Sequence, residues 1–244
     1  RYRYVTGVQT CALPILAPAQ RRIGFDRPRC KELTWLLPFE RIAPGATDRH
    51  MLTQYADFAR HLGLDDFKVE WRIGLSGRLP AGLPANYVAL NIGATKPANR
   101  WTSAGFAELA GLIKQACGLD CVLTGGPEDR ELGAAIASLN PQVIDLSGRT
   151  TLDELKETLA AAAAVVSCDT GPMHLAVALG RPVVALFGPA DERRTGPYVG
   201  RVVRQRLDCA PCGQRRCADP VCMRSLAPAT VMAVVSEVLT GRPD

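Results

Sequence analysis

Asp169, Thr170, Gly171, Pro172 and His174 fall within six residues of one another in the stretch VVSCDTGPMHLAVALGRPVVALFGP, residues 165–189. One apolar run ends at the acid and a second resumes behind the imidazole, the pattern of a buried strand handing over to a helix. Thr170 can cap that helix, Gly171 permits close backbone approach, and Pro172 suits the first helical position. The unpaired N–H groups there, together with the positive end of the helix dipole, form an anion site. His174 adds a donor in the first turn, and Asp169 offers an acceptor to hydroxyl groups. Phosphate and hydroxyl recognition in one turn is sugar-phosphate chemistry. A capped structural helix with an incidental histidine would read the same way.

Two more polar loops follow apolar runs. In NIGATKPANRW (91–101), Thr95, Lys96, Asn99 and Arg100 offer donors to phosphate, and Trp101 can pack beneath them. In TGGPEDRE (124–131), Glu128 or Asp129 can accept from ribose hydroxyls, although acids at a helix start are favoured by the dipole alone. No G-x-G-x-x-G is present, which weighs against a nicotinamide or flavin enzyme.

These loops need a scaffold, and the sequence supplies a regular one from Tyr87 onward. YVALNIG, LDCVLTGG, QVIDLSG, AVVSCD and PVVALFG read as buried strands. Between them lie helical patterns, one opening at Ser103, one over EDRELGAAIASL, and one with Thr151 and Glu154 in capping-box spacing. LAPATVMAVVSEVLTG closes the chain as a helix. Alternation of this kind implies an α/β fold with a parallel sheet, whose ligands bind beyond the carboxyl ends of the strands. Earlier, RRIGF reads as a short strand, LTWLLPF as an apolar run, and DRHMLTQYADFARHLGL as a helix capped by Asp48 and closed at Gly63. Residues 74–86, rich in Gly and Pro, read as a linker. Residues 1–15 show no helical or strand period and resemble translated adapter sequence, so they are expected to be foreign to the protein.

The 244 residues are 47% hydrophobic and 22% charged, enough for one large core or two modest ones. No apolar run reaches the ~18–20 residues of a membrane-spanning helix. The net charge of +5 is no nucleic-acid signature by itself, and no nucleic-acid partner is expected. Seven arginines crowd residues 193–216 and could face a phosphate-rich partner or simply solvent. Nine cysteines, an odd number, with no secretory signal point to the reducing cytoplasm. Cys209, Cys212, Cys217 and Cys222 lie within fourteen residues. Cys-x2-Cys is half of a zinc knuckle, but the later spacings of four and four do not complete one. The cluster reads either as a zinc site or as reduced, redox-labile thiols.

Taken together, DTGPMHLAVALGRPVVALFGPADERRTGPY (169–198), the 91–101 loop, LTGGPEDRE, DLSGRTTLDEL and the late cysteines resemble glycosyltransferase family 9, the ADP-heptose:lipopolysaccharide heptosyltransferases. The resemblance spans residues 16–244. It implies a GT-B-type architecture, with 16–73 a remnant of the acceptor-binding N-terminal domain and 87–244 the Rossmann-like donor-binding domain. It further implies inverting transfer of a heptose from ADP-heptose to a lipid-linked saccharide of the lipopolysaccharide inner core, with no cofactor required. Peripheral contact with the cytoplasmic face of the inner membrane goes with such an acceptor. Carried over by position, Asp169, Thr170, Gly171 and His174 meet the heptose and diphosphate, Met173 the adenosine side, Thr95 and its neighbours phosphate, and Glu128 or Asp129 the ribose. Asn99 departs from the pattern, in which a lysine precedes the loop tryptophan by two residues; Lys96 or Arg100 would have to replace that charge. The acid that serves the family as general base has no counterpart in this sequence, so the chain is expected to bind donor weakly and turn over poorly. A GT-B enzyme with another sugar nucleotide and acceptor, and a non-catalytic metal-binding interaction module, are the competing readings.

Overall fold

In the computed structural model, residues 19–30, 34–66 and 68–241 are described. The expected foreign segment, 1–15, lies outside them. The chain divides into two compact units, residues 1–69 and 70–244.

In the first unit two short parallel strands, β1 (Ile23–Gly24) and β2 (Glu40–Arg41), accompany one helix, α1 (Met51–His61). In the apolar run, Thr34–Leu36 is a single 3-10 turn. The cap of α1 is His50 and not Asp48: its Nδ1 accepts from the amide of Leu52 at 3.2 Å. Arg29, 6% exposed, is held by Asp26, Asp57 and the carbonyl of Ala43. Such a buried cation is tolerable only because every side of it meets an acceptor.

The second unit is built on a six-stranded sheet, all parallel: β3 (Tyr87–Asn91), β4 (Asp120–Thr124), β5 (Ile144–Asp145), β6 (Ala164–Cys168), β7 (Val183–Phe187) and β8 (Arg201–Arg204). Their spatial order is β5-β4-β3-β6-β7-β8. β3, β6 and β7 are buried along their whole length, as strands covered on both faces must be. β8 is a sixth strand that the sequence did not suggest, and β5 is only two residues long.

Helices α2 (Ser103–Cys117), α3 (Arg130–Leu139) and α8 (Pro228–Thr240) pack on one face of the sheet around Phe106, Leu109, Ile113, Ile136 and Val231. Helices α4 (Leu152–Ala161) and α5 (Gly171–Ala178) cover the other around Leu159, Met173 and Ala176. Short helices α6 (Glu192–Thr195) and α7 (Val221–Arg224) lie in the late connections. α2 is capped by Thr102, whose hydroxyl accepts from Gly105 at 2.9 Å, and not by Ser103. The capping box of α4 forms as expected, with Thr151 and Glu154 satisfying each other's amides. Trp101 is buried beneath the 91–101 loop, edge-on to Phe106 and donating to the carbonyl of Leu226 at 3.2 Å.

Residues 74–86 carry no helix and only turns, yet their first part is fastened within this unit. The buried carboxylate of Glu157 on α4 accepts from the amide and hydroxyl of Ser76 and from the amide of Gly77.

Candidate functional site

Counting from its first strand, the sheet runs 3-2-1-4-5-6, so the order reverses between β3 and β6. The connection after β3 goes to one face and that after β6 to the other, which parts the two loops and opens a crevice beyond their carboxyl ends. A cleft of about 240 Å³ lies there. Asn91, Gly93, Ala94 and Thr95 form one wall, and Gly125, Gly126, Glu128 and Asp129 the next. Thr150, Thr151, Leu152 and Leu155 form a third, and Thr170 and Pro172 close it.

Three buried polar side chains fix the floor. Asn91 donates to the hydroxyl of Ser167 at 3.1 Å and accepts from that of Thr124 at 3.3 Å, which cross-links the ends of β4, β3 and β6. In a core this dry each group needs its partner, so the network sets a single register for the loops above it.

Asp129 holds two of those loops together. It is 2% exposed, takes the amide of Gly126 at 2.9 Å and pairs with Arg100 at 2.8 Å. It also explains two glycines: a Cβ on Gly93 would stand 2.4 Å from its carboxylate, and one on Gly125 2.9 Å from its own Cβ. Asp129 is thus spent on structure, and of the two acids expected at a ribose Glu128 is the exposed one. Arg100 is spent with it, and also donates to the carbonyl of Ala94 at 3.3 Å.

Asp169 stands at the end of β6, half-buried, accepting from the side-chain Nδ2 of Asn99 at 3.0 Å. Burial pushes its carboxyl above the usual range, against the opposing pull of Lys96, His174 and the Asn99 hydrogen bond. Asn99 is itself buried, and its Oδ1 meets no partner among the described residues. Thr170 is the N-cap of α5, but its side chain makes no capping bond; Pro172 takes the second helical position, not the first, and has no amide, and the amide of Met173 donates to the carbonyl of Thr170 at 3.1 Å, so of the first three positions Gly171 keeps its amide unclaimed among the described residues. Gly171 and His174 are exposed. Met173 is a correction: expected beside adenosine, it is fully buried in the core under α5 and has no surface to offer.

The wall from Thr150 to Leu155 was missed as a site. Thr151 and Glu154 were visible only as a cap, although the sheet order puts the loop after β5 in the same crevice. Leu152, 70% exposed, and Leu155 give that wall its apolar surface.

Of the late cysteines, Cys209, Cys212 and Cys217 are exposed and Cys222 is buried. Burial raises the pKa of Cys222, and nearby Cys212 and Cys209 add to the rise. Among the described residues no group of three or more His, Cys, Asp or Glu side chains is placed to hold a metal. No helix among them is long and apolar enough to cross a membrane.

A family model described as Glycosyltransferase family 9 (heptosyltransferase) matches residues 6–221. The lipopolysaccharide core heptosyltransferase OpsX of Haemophilus influenzae is 25% identical over 79% of this chain and 58% of its own length. Lipopolysaccharide heptosyltransferase 2 of Escherichia coli is 41% identical over 44% of this chain and 33% of its own. The solved structure of the E. coli heptosyltransferase WaaC with ADP superimposes with a TM-score of 0.66 at 25% identity, over 88% of this chain and 65% of that one. The chain therefore spans a third to three fifths of the length of these two sequence relatives.

Proposed function

The chain belongs to glycosyltransferase family 9, and from that premise we propose that its second unit binds ADP-heptose for transfer to a lipid-linked saccharide of the lipopolysaccharide core. One observation carries the reading: a cleft at the strand-order reversal is bordered by the starts of α4 and α5, so backbone amides and dipole ends converge where a diphosphate would lie. The apolar surface of Leu152 and Leu155 suits a purine, Glu128 a ribose, and Thr95 with the Gly171 amide the diphosphate. Asp169 and His174 then stand on the sugar side.

Transfer breaks the bond between the anomeric carbon and the diphosphate oxygen while an acceptor hydroxyl attacks from the opposite face and gives up its proton to solvent, inverting the centre. Negative charge gathers on the departing diphosphate, and the Gly171 amide with the positive dipole end of α5 stabilises it there. The relatives named above are called lipopolysaccharide heptosyltransferases, and one was solved with ADP; both facts support the donor and acceptor classes. An acceptor of this kind would bring the protein to the cytoplasmic face of the inner membrane.

Calorimetric titration of the chain with ADP, ADP-heptose, a UDP-sugar and NAD tests the reading. Binding of ADP and ADP-heptose alone is expected. Binding of the UDP-sugar alone would favour another glycosyltransferase, and binding of NAD alone would overturn the assignment.

A further inference from the structure

Residues 205–220, between β8 and α7, contain no helix or strand and carry three exposed cysteines and two adjacent arginines. Two backbone hydrogen bonds fix the middle of this segment. The amide of Gly213 donates to the carbonyl of Pro189, in the loop after β7, at 2.7 Å. The carbonyl of Arg215 accepts from the amide of Ala98, in the loop after β3, at 3.3 Å. β3 and β7 are the two neighbours of β6. Residues 213–215 therefore bridge the two loops that flank the end of β6, where Asp169 stands and α5 begins. The distance is consistent: two strand spacings are about 10 Å, which a nearly extended three-residue arm and two hydrogen bonds can cover.

The bridge adds positive charge to a place where Lys96 already faces Asp169. Arg100 is committed to Asp129. Within the arginine run, Arg193 pairs with Asp191 and Arg204 with Glu192. Arg215 and Arg216 are exposed and form no ion pair among the described residues. A diphosphate seated at the start of α5 would otherwise meet Lys96 and one helix dipole, facing the carboxylate of Asp169.

We propose that Arg215 and Arg216, carried on this bridge, bind the diphosphate oxyanions of the sugar nucleotide and close the β7 side of its site. The inference rests on the nucleotide-binding reading given above. The nucleoside lies on the β4 and β5 side of the cleft, so the bridge addresses the phosphate nearer the sugar. The side chains make no contacts the fold depends on, and the tie to Ala98 is through the backbone, so alanine at both positions leaves the bridge in place.

The test is calorimetric titration of the chain with ADP, AMP and pyrophosphate at low salt. For the Arg215→Ala/Arg216→Ala variant, ADP binding is expected to weaken by about tenfold or more, the scale of a charge-assisted hydrogen bond, and AMP by less than about threefold. Lysine at both positions should restore most of the loss, and Arg206→Ala, exposed and off the bridge, should change nothing. Unchanged ADP affinity in the double alanine variant, or equal losses for ADP and AMP, overturns the proposal. Wild-type binding of pyrophosphate but not ADP, with pyrophosphate lost in the variant, keeps the bridge and sinks the nucleotide reading. Wild-type binding of neither sinks both.

Discussion

Asp129→Ala should loosen the cleft before it touches any ligand. The carboxylate is 2% exposed and takes two charge-assisted contacts, from the amide of Gly126 at 2.9 Å and from Arg100 at 2.8 Å. A hydrogen bond to a charged group contributes ~1.5–3 kcal/mol. The side chain of Arg100 is 33% exposed and regains hydration when its partner goes, so its share falls to ~1 kcal/mol or less. The net loss is then ~2–3 kcal/mol, or a fall in Tm of ~4–12 °C for a protein of this size. Urea unfolding followed by circular dichroism reads the loss, and calorimetry with ADP reads the consequence at the site, which should be weaker binding because the loops after β3 and β4 come apart. Asp129→Asn keeps an acceptor for Gly126 and should lose about half as much. A loss under ~0.5 kcal/mol together with a collapse in ADP affinity would refute this reasoning and return Asp129 to the ribose.

Four further outcomes are expected. Thr151→Ala breaks the capping box of α4 and should cost ~1 kcal/mol in the same unfolding assay. Glu157→Ala frees residues 76 and 77, so their amides should exchange faster by mass spectrometry. In the wild type, burial raises the Glu157 pKa but the bonds from Ser76 and Gly77 and the charge of Lys156 hold it below 4.5, so the clamp is complete above that pH and is lost as pH falls through the lowered value. Asp169→Asn should be more stable than wild type at pH 7, because the buried carboxyl has a pKa raised above 3.8 and its ionisation costs folding energy; comparison of melting curves should show the advantage vanishing as pH drops to about 3.8, while ADP-heptose binding is impaired. Iodoacetamide under native conditions should label Cys117, Cys209, Cys212 and Cys217 but spare Cys121 and Cys168, which burial holds at about 12.

The second unit was legible in the sequence where hydrophobic pattern and cap chemistry agreed. Tyr87–Asn91, Asp120–Thr124, Ala164–Cys168 and Val183–Phe187 are strands at the expected places because continuous apolar runs between turns have few alternatives. β8 was not, because Arg-Val-Val-Arg is short and flanked by charge, and only its neighbour β7 supplies the ladder that makes it a strand. The cap of α2 was misplaced by one residue between two adjacent hydroxyls, Thr102 and Ser103, which sequence cannot rank. Met173 failed for a related reason: His174 is the only polar side chain of α5, so the helix shows no face from which to tell core from cleft. Asp129 reads equally as ribose acceptor, dipole partner or staple until Gly93 and Gly125 are seen to be crowded by it.

The strand order also explains why the head of α5 stays available. Where consecutive connections lie on the same face, as after β3 and β4, their loops can satisfy one another, and here Arg100 and Gly126 do so through Asp129. Across the reversal α2 and α5 depart to opposite faces, and the loops after β3 and β6 are joined by the side-chain bond from Asn99 to Asp169. Gly171 at the head of α5 is exposed, so water reaches the amide that no loop meets. On the β3 side Asn99 reaches Asp169. On the β7 side the chain spends residues 213–215 on a bridge that itself belongs to no helix or strand. Leu207 and Ala210 of that segment pack against the core, and the apolar burial they bring helps repay the ordering of its backbone.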